Sequence, residues 1–429
     1  MRAPLSMLMA IALPAGFAWA QTPAAAPPSV PVPTVPVAMV RSKPKVDEIR
    51  LEVELFQQAP VDPNTGTVIV NGQAYGSNNV KTSPTYNGAG VSVALPVLVR
   101  TSWCDTDFTK SVASAFVDGL EQVQDPAKCF LRIPGTAEAL LRFDARFVRG
   151  ACESVVFKAS YQVQRWELQV DEKLAATATW PREWPSGMDR FLKPEFGINP
   201  AIPAVKACAE GATKGGPRSV TPFLAAKYAV HSIVGRWRVN SSTTSIFGQR
   251  GALRGVNFTD LNQPWGLEAG GGTPIELAAT CVAGLRAINI PSRIVFCLVE
   301  GNDGNNRGGV RGTIRSNANQ FRFICEFFIP DVGWIPFDPL IVRQQATIDP
   351  VSNAIKGFAS VPELERTLPL AYRLVPEGYE KADRFALWGW KGGLGVDEAR
   401  AVSRIGFDAS GRGNGKVPTM PAPVSDEAP

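Results

Sequence analysis

The chain has 429 residues, 45% of them hydrophobic and 19% charged, with 44 Lys and Arg against 39 Asp and Glu for a formal charge of +5. That length suits two domains of ordinary size, and that apolar content suits a packed core. The cations are scattered rather than clustered, which argues against nucleic acid as a partner, because a nucleic-acid footprint needs a concentrated basic face.

At the N-terminus, Arg2 precedes an apolar run from Leu5 to Leu13, and Ala18-Trp19-Ala20 forms an A-x-A site. This is the pattern of a secretory signal peptide over 1–20, with cleavage expected before Gln21. The run is shorter than the roughly 20 residues of a transmembrane segment. Pro14 also interrupts it, and no later stretch qualifies as a span. The chain is therefore expected to be exported, to the periplasm or the cell exterior. Residues 21–45 are rich in Pro, Ala and Val, which predicts an extended linker with polyproline II character.

From Val46 the spacing changes. Ile49, Leu51, Val53 and Leu55 alternate with Arg50, Glu52 and Glu54, the period of a half-buried strand. Further strands are predicted at Val91 to Val99, Ala139 to Val148 and Ser154 to Val170. Turn-forming stretches such as VDPNTG and YGSNN separate some of them. Several strands with few helical patterns predict a β-sandwich over 46–188.

Helical spacing begins near Asp189. Thr221 followed by Pro222 marks an N-cap and first turn. Phe223, Ala226, Val230, Val234 and Trp237 then form one buried face. His231, the single histidine, lies beside that stripe and is expected to pack rather than to catalyse. Thr273-Pro274-Ile275-Glu276 has the form of a capping box with proline at N1. A helix is predicted from Pro274, with Ile275, Ala278, Val282 and Leu285 on one face. It should end at Asn289, which tolerates a left-handed conformation, ahead of Pro291. Strands follow at Ile294 to Leu298, Phe321 to Ile329 and Trp334 to Phe337. A Gly/Asn-rich loop precedes the second, and a turn at Asp331 to Trp334 precedes the third. Residues 346–410 are expected to pack on this unit as a C-terminal extension, and 411–429 to form a disordered tail.

There are seven cysteines: Cys104, Cys129, Cys152, Cys208, Cys281, Cys297 and Cys325. The odd count leaves at least one free thiol, and the first three could supply one bridge. No Cys/His spacing suggests zinc, so neither metal nor cofactor is expected.

The two segments GGTPIELAATCVAGLRAINIPSR and RFICEFFIPDVGWIPFDP together resemble the core of the transglutaminase-like superfamily, a relative of the papain fold. Arg286 to Arg293 matches that family's Arg-Ala-x-Gly-Ile-Pro-Ala-Arg stretch, with Asn289 in place of Gly. Arg322 to Phe328 matches a His-Ala-Trp-x-Glu-x-Tyr strand, with Glu326 retained. Gly333 to Pro339 matches Gly-Trp-x-x-Phe-Asp-Pro, and the segment from Arg190 resembles the family's upstream region. The resemblance spans about Arg190 to Leu340. It implies a transglutaminase-like, papain-like α+β domain at 189–345, so that with the β-sandwich read from the strand pattern before it the expected fold class is α+β.

The family's Cys-His-Asp triad falls here on Pro274, Arg322 and Asp338. Proline carries no nucleophile, and a guanidinium stays protonated and cannot act as a general base. Cys281, Cys297 and Cys325 read as buried small hydrophobes. The expectation is a catalytically inactive protein that binds a protein or peptide, or serves as an envelope scaffold. Arg322, Glu326 and Asp338 are the candidate binding residues, with Arg322 and Asp338 expected as a salt-bridged pair. The alternative is a cysteine peptidase or protein-glutamine transferase using a non-standard Cys. Arg307, Arg311 and Arg315 of the Gly-rich loop are expected to border the cleft.

Overall fold

Alternation and pairing along β1 (Met39–Gln57) organise the largest sheet, with Ile49, Leu51 and Val53 buried on one face. The computed structural model describes residues 38–57, 68–70, 73–75, 86–87, 90–237, 274–299, 321–373, 401–414 and 420–421, less positions 134, 135, 149, 153, 196 and 352. The signal peptide, most of the Pro/Ala-rich stretch, Thr273, the VDPNTG turn and the loop with Arg307, Arg311 and Arg315 lie outside the described residues.

After β1 come three short strands, β2 (Val68–Val70), β3 (Gln73–Tyr75) and β4 (Tyr86–Asn87). Next are β5 (Gly90–Leu98), β6 (Cys104–Val117), β7 (Leu120–Val123), the one-turn α1 (Pro126–Cys129) and β8 (Phe130–Arg132). Then follow β9 (Glu138–Arg146), β10 (Ala151–Cys152), β11 (Val155–Val170) and α2 (Glu172–Ala175). The helical part holds α3 (Pro203–Glu210), α4 (Pro222–Arg236) and α5 (Pro274–Ala287). It is followed by β12 (Ser292–Val299), β13 (Phe321–Ile329), β14 (Gly333–Phe337), α6 (Pro339–Arg343) and β15 (Thr367–Ala371). The last strands are β16 (Ala401–Asn414) and β17 (Met420–Pro421).

Three sheets matter for the site. The largest runs β16-β1-β11-β6-β7, with β17 pairing β1; a second runs β5-β9-β8; a third runs β14-β13-β12-β15. The pairings within these sheets are antiparallel. Residues 37–429 form one compact unit. One hydrophobic core runs through it, from Met39 of the first strand through α4, α5 and β12 to Phe407 of β16.

Several boundaries differ from the sequence expectation. Strand β1 starts at Met39, inside the 21–45 stretch read as linker. Its first residues pair with Leu168 to Val170 of β11, and Pro44 sits at a register shift, where a missing N–H costs no ladder bond. Gly411 to Asn414 belongs to β16 and Met420 to β17, inside the 411–429 stretch read as a tail. Their ladder partners on β1 lie more than three hundred residues away in sequence. Strand β6 was not expected at all. Its side chains follow no clean alternation of apolar and polar types, and pairing with β11 makes it a strand.

In the helical part, Thr221 holds the N-cap position of α4, but its side chain makes no capping bond and its hydroxyl is buried without a partner. Helix α4 ends at Arg236, one residue before Trp237. Asn289 ends α5 with φ +64°, and the Ile290 N–H donates to the Leu285 carbonyl at 2.9 Å, as a left-handed helix stop requires. Asp331 at φ +62° and Gly333 at φ +101° make the turn between β13 and β14.

The loop Thr101–Trp103, between β5 and β6, inserts into the β12–β15 side of the structure. Trp103 is fully buried, and its indole N–H donates to Thr367 Oγ1 at 3.2 Å. Ser102 Oγ donates to Glu326 Oε1 at 3.1 Å, and Tyr372 Oη donates to the Arg100 carbonyl at 2.8 Å.

Candidate functional site

Two of the three triad positions come together. Arg322 lies on β13, and Asp338 ends the turn from β14 into α6. Arg322 Nε donates to Asp338 Oδ2 at 2.7 Å, and Arg322 Nη1 donates to the Pro362 carbonyl at 2.9 Å. The other Asp338 oxygen caps α6, accepting from the N–H groups of Leu340 at 2.9 Å and Ile341 at 3.2 Å. Asp338 also donates its own N–H to the Gly357 carbonyl at 2.7 Å. Each carboxylate oxygen is thus in use, and the pair is mostly shielded from solvent. Arg322 Nη2 is buried without a hydrogen-bond partner.

Pro274 begins α5, where its missing N–H costs nothing. The position that would carry a nucleophile has no side-chain donor or acceptor. Glu326, the third binding candidate, is fully buried. Its Oε2 accepts from Arg293 Nε at 2.7 Å and its Oε1 from Ser102. It points inward, joining the β12–β13 sheet to the Thr101–Trp103 loop, and offers nothing to a ligand.

Arg293 and Arg286 were matched in sequence but given no role. The Arg293 guanidinium lies 3.8 Å from the ring centroid of Trp334 and 3.6 Å from that of Tyr372, with Glu326 at its edge. Arg286 donates to the carbonyls of Ser292 and Lys193 and to Glu195 at 2.5 Å. Burial lowers its affinity for the proton, and Glu195 opposes that effect. The sequence signal for both was present in the RAINIPSR stretch, but their partners Glu195 and Tyr372 are remote in the chain.

The thiols are the remaining source of nucleophilic chemistry. All seven cysteines are free and buried, so the bridge that Cys104, Cys129 and Cys152 could have supplied is not formed. Burial pushes Cys104 up to about 12, Cys129 to about 11 and Cys152 to about 12. It raises Cys281, Cys297 and Cys325 as well. Cys325 Sγ is turned towards the Ala278 carbonyl at 3.6 Å and Cys297 Sγ towards that of Val295 at 3.6 Å. Thiolate, the reactive form, is disfavoured at each of these six. His231 Nε2 is buried without a partner, so no sulfur lies within hydrogen-bond reach of that nitrogen. Among the described residues, no cluster of three His, Cys, Asp or Glu could hold a metal ion, and no helix is long and apolar enough to cross a membrane.

Residues 253–339 match the model of the Transglutaminase-like superfamily. This segment is transglutaminase-like. It contains α5, β12, β13 and β14 and ends at Pro339, so the family's core elements are those that carry Pro274, Arg322 and Asp338. No curated protein matches the chain. Among solved structures, a proposed cysteine protease from Cytophaga hutchinsonii is similar at 13% identity and a TM-score of 0.47, covering 89% of this chain and 95% of that one.

Proposed function

We propose that this chain is an exported, transglutaminase-like protein without thiol catalysis, with its N-terminal sheets arranged as a β-sandwich, and that it acts by binding a protein or peptide or as an envelope scaffold. The observation that carries the reading is the Arg322–Asp338 ion pair standing where a His–Asp pair would be needed, next to a helix that starts with Pro274. A base that cannot release its proton and a position without a nucleophile remove two separate requirements of the same mechanism. The burial of all seven cysteines supports the reading further, since a substitute nucleophile would need access and a stabilised thiolate. Retention of the scaffold without its chemistry favours binding, although a fold by itself does not choose a partner.

The test is thiol reactivity in the native chain. Iodoacetamide at neutral pH, followed by peptide mass spectrometry, is expected to leave the described thiols unmodified until denaturant is added. Fast labelling of one native cysteine, abolished by its replacement with Ser, would overturn the reading and restore a cysteine enzyme. Pull-down from the source envelope with wild type and Arg322→Ala then tests the binding role. Identical partners would exclude the old cleft as the binding site.

A further inference from the structure

A pocket opens where three parts of the chain meet: Thr136 to Glu138 at the start of β9, Met188 with Arg190 and Phe191, and Tyr372 to Arg373 just after β15. Arg293 and Trp334, both buried, also line it. It is small, about 20 Å³, room for roughly one water-sized group such as a single carboxylate oxygen.

The charges of the lining do not cancel. Three guanidinium groups, Arg190, Arg293 and Arg373, meet one carboxylate, Glu138. Glu326 neutralises Arg293 from behind, at 2.6 Å. Glu195, 4.0 Å from Arg373, is already bound to Arg286 at 2.5 Å. Even with Glu138 set against Arg373, one positive charge remains, and it belongs to Arg190. That side chain is exposed, lies 4.6 Å over the Phe191 ring, and has no carboxylate partner among the described residues. The Arg293 guanidinium lies against the rings of Trp334 and Tyr372.

We infer that this pocket binds a monovalent carboxylate on a small body, such as a peptide C-terminus or a short organic acid, with Arg190 as the main contact. One excess charge matches one negative charge. A planar two-oxygen group suits guanidinium donors. A phosphate dianion carries two charges against one excess cation and would meet Glu138. This inference does not rest on the proposed function, since it uses none of the triad positions.

The experiment titrates N-acetylglycine, its neutral amide N-acetylglycinamide and inorganic phosphate into the full chain, read by saturation-transfer NMR and by competition. N-acetylglycine is expected to bind and its amide not to bind. Arg190→Ala should weaken binding at least about tenfold, the scale of a lost charge-assisted hydrogen bond. Arg190→Lys should retain part of the affinity, and phosphate should fail to displace the carboxylate. Equal binding of acid and amide, undiminished binding in Arg190→Ala, displacement by phosphate, or no binding of the acid would each overturn the assignment. An unchanged thermal transition in Arg190→Lys separates a lost site from a lost fold.

Discussion

Replacing Glu326 by Gln tests the buried network at the centre of the molecule. The substitution keeps the side-chain shape and an acceptor for Ser102 but removes the charge. Arg293, only 2% exposed, then loses the counter-ion that stood 2.6 Å from its Nη2 and 2.7 Å from its Nε. Leaving one partner of a buried pair uncompensated costs about 3–5 kcal/mol. The rings of Trp334 at 3.8 Å and Tyr372 at 3.6 Å still face the cation and hold back about 1 kcal/mol. The expected net loss is about 2–4 kcal/mol, a large share of the roughly 5–15 kcal/mol that holds a typical domain together. Urea unfolding followed by circular dichroism measures it. Arg293→Met combined with Glu326→Gln should recover at least about 1 kcal/mol relative to additivity, because the stranded charge is gone. A single-mutant loss below about 1 kcal/mol, with an additive double mutant, would refute a dry, coupled ion pair.

Two further outcomes follow from packing and burial. In the folded chain Cys104, Cys129, Cys152, Cys281, Cys297 and Cys325 ionise above the ordinary value of 9.0, with Cys104 near 12. Below about pH 9 both states keep these protons and the thiols add no pH dependence. Above it the unfolded chain binds fewer protons than the folded one, so stability falls until the folded thiols titrate. A urea midpoint that stays level up to about pH 11 would contradict burial of Cys104. Gly284, inside α5, gives the second. A Cβ there would lie 2.4 Å from Ile233 Cδ1, and Ile233 is fully buried on α4. Gly284→Ala should therefore cost about 1–3 kcal/mol, and Ile233→Val should relieve part of it. A gain of about 1 kcal/mol, as helix propensity alone predicts, would show that the two helices have room to part.

The helix from Pro274, its stop at Asn289, the strands to Phe337 and the turn at Asp331 were legible because each is written in local terms. Proline position, a left-handed Asn and short apolar runs need no knowledge of neighbours. The Arg322–Asp338 pair was legible only through the family resemblance, which placed two distant positions side by side. Glu326 was misjudged as a ligand contact for the opposite reason. Its side chain is claimed by Ser102, a residue more than two hundred positions earlier, and nothing in the Phe321–Ile329 stretch announces that. Strand β6 and the C-terminal strands were missed because their apolar patterns are irregular and their partners on β11 and β1 are remote.

Residue identity alone determined that no nucleophile stands at Pro274 and no base at Arg322, because those limits belong to the side chains in any fold. Tertiary structure decided what the surviving polar groups do. It closed Asp338 on Arg322 and the α6 N-terminus, turned Glu326 inward to Arg293 and Ser102, and left Arg190 as the unbalanced charge at a pocket formed by three remote parts of the chain. The division follows from range: what a side chain can do chemically is carried by the residue, while which charges cancel depends on distances that only the packed chain defines.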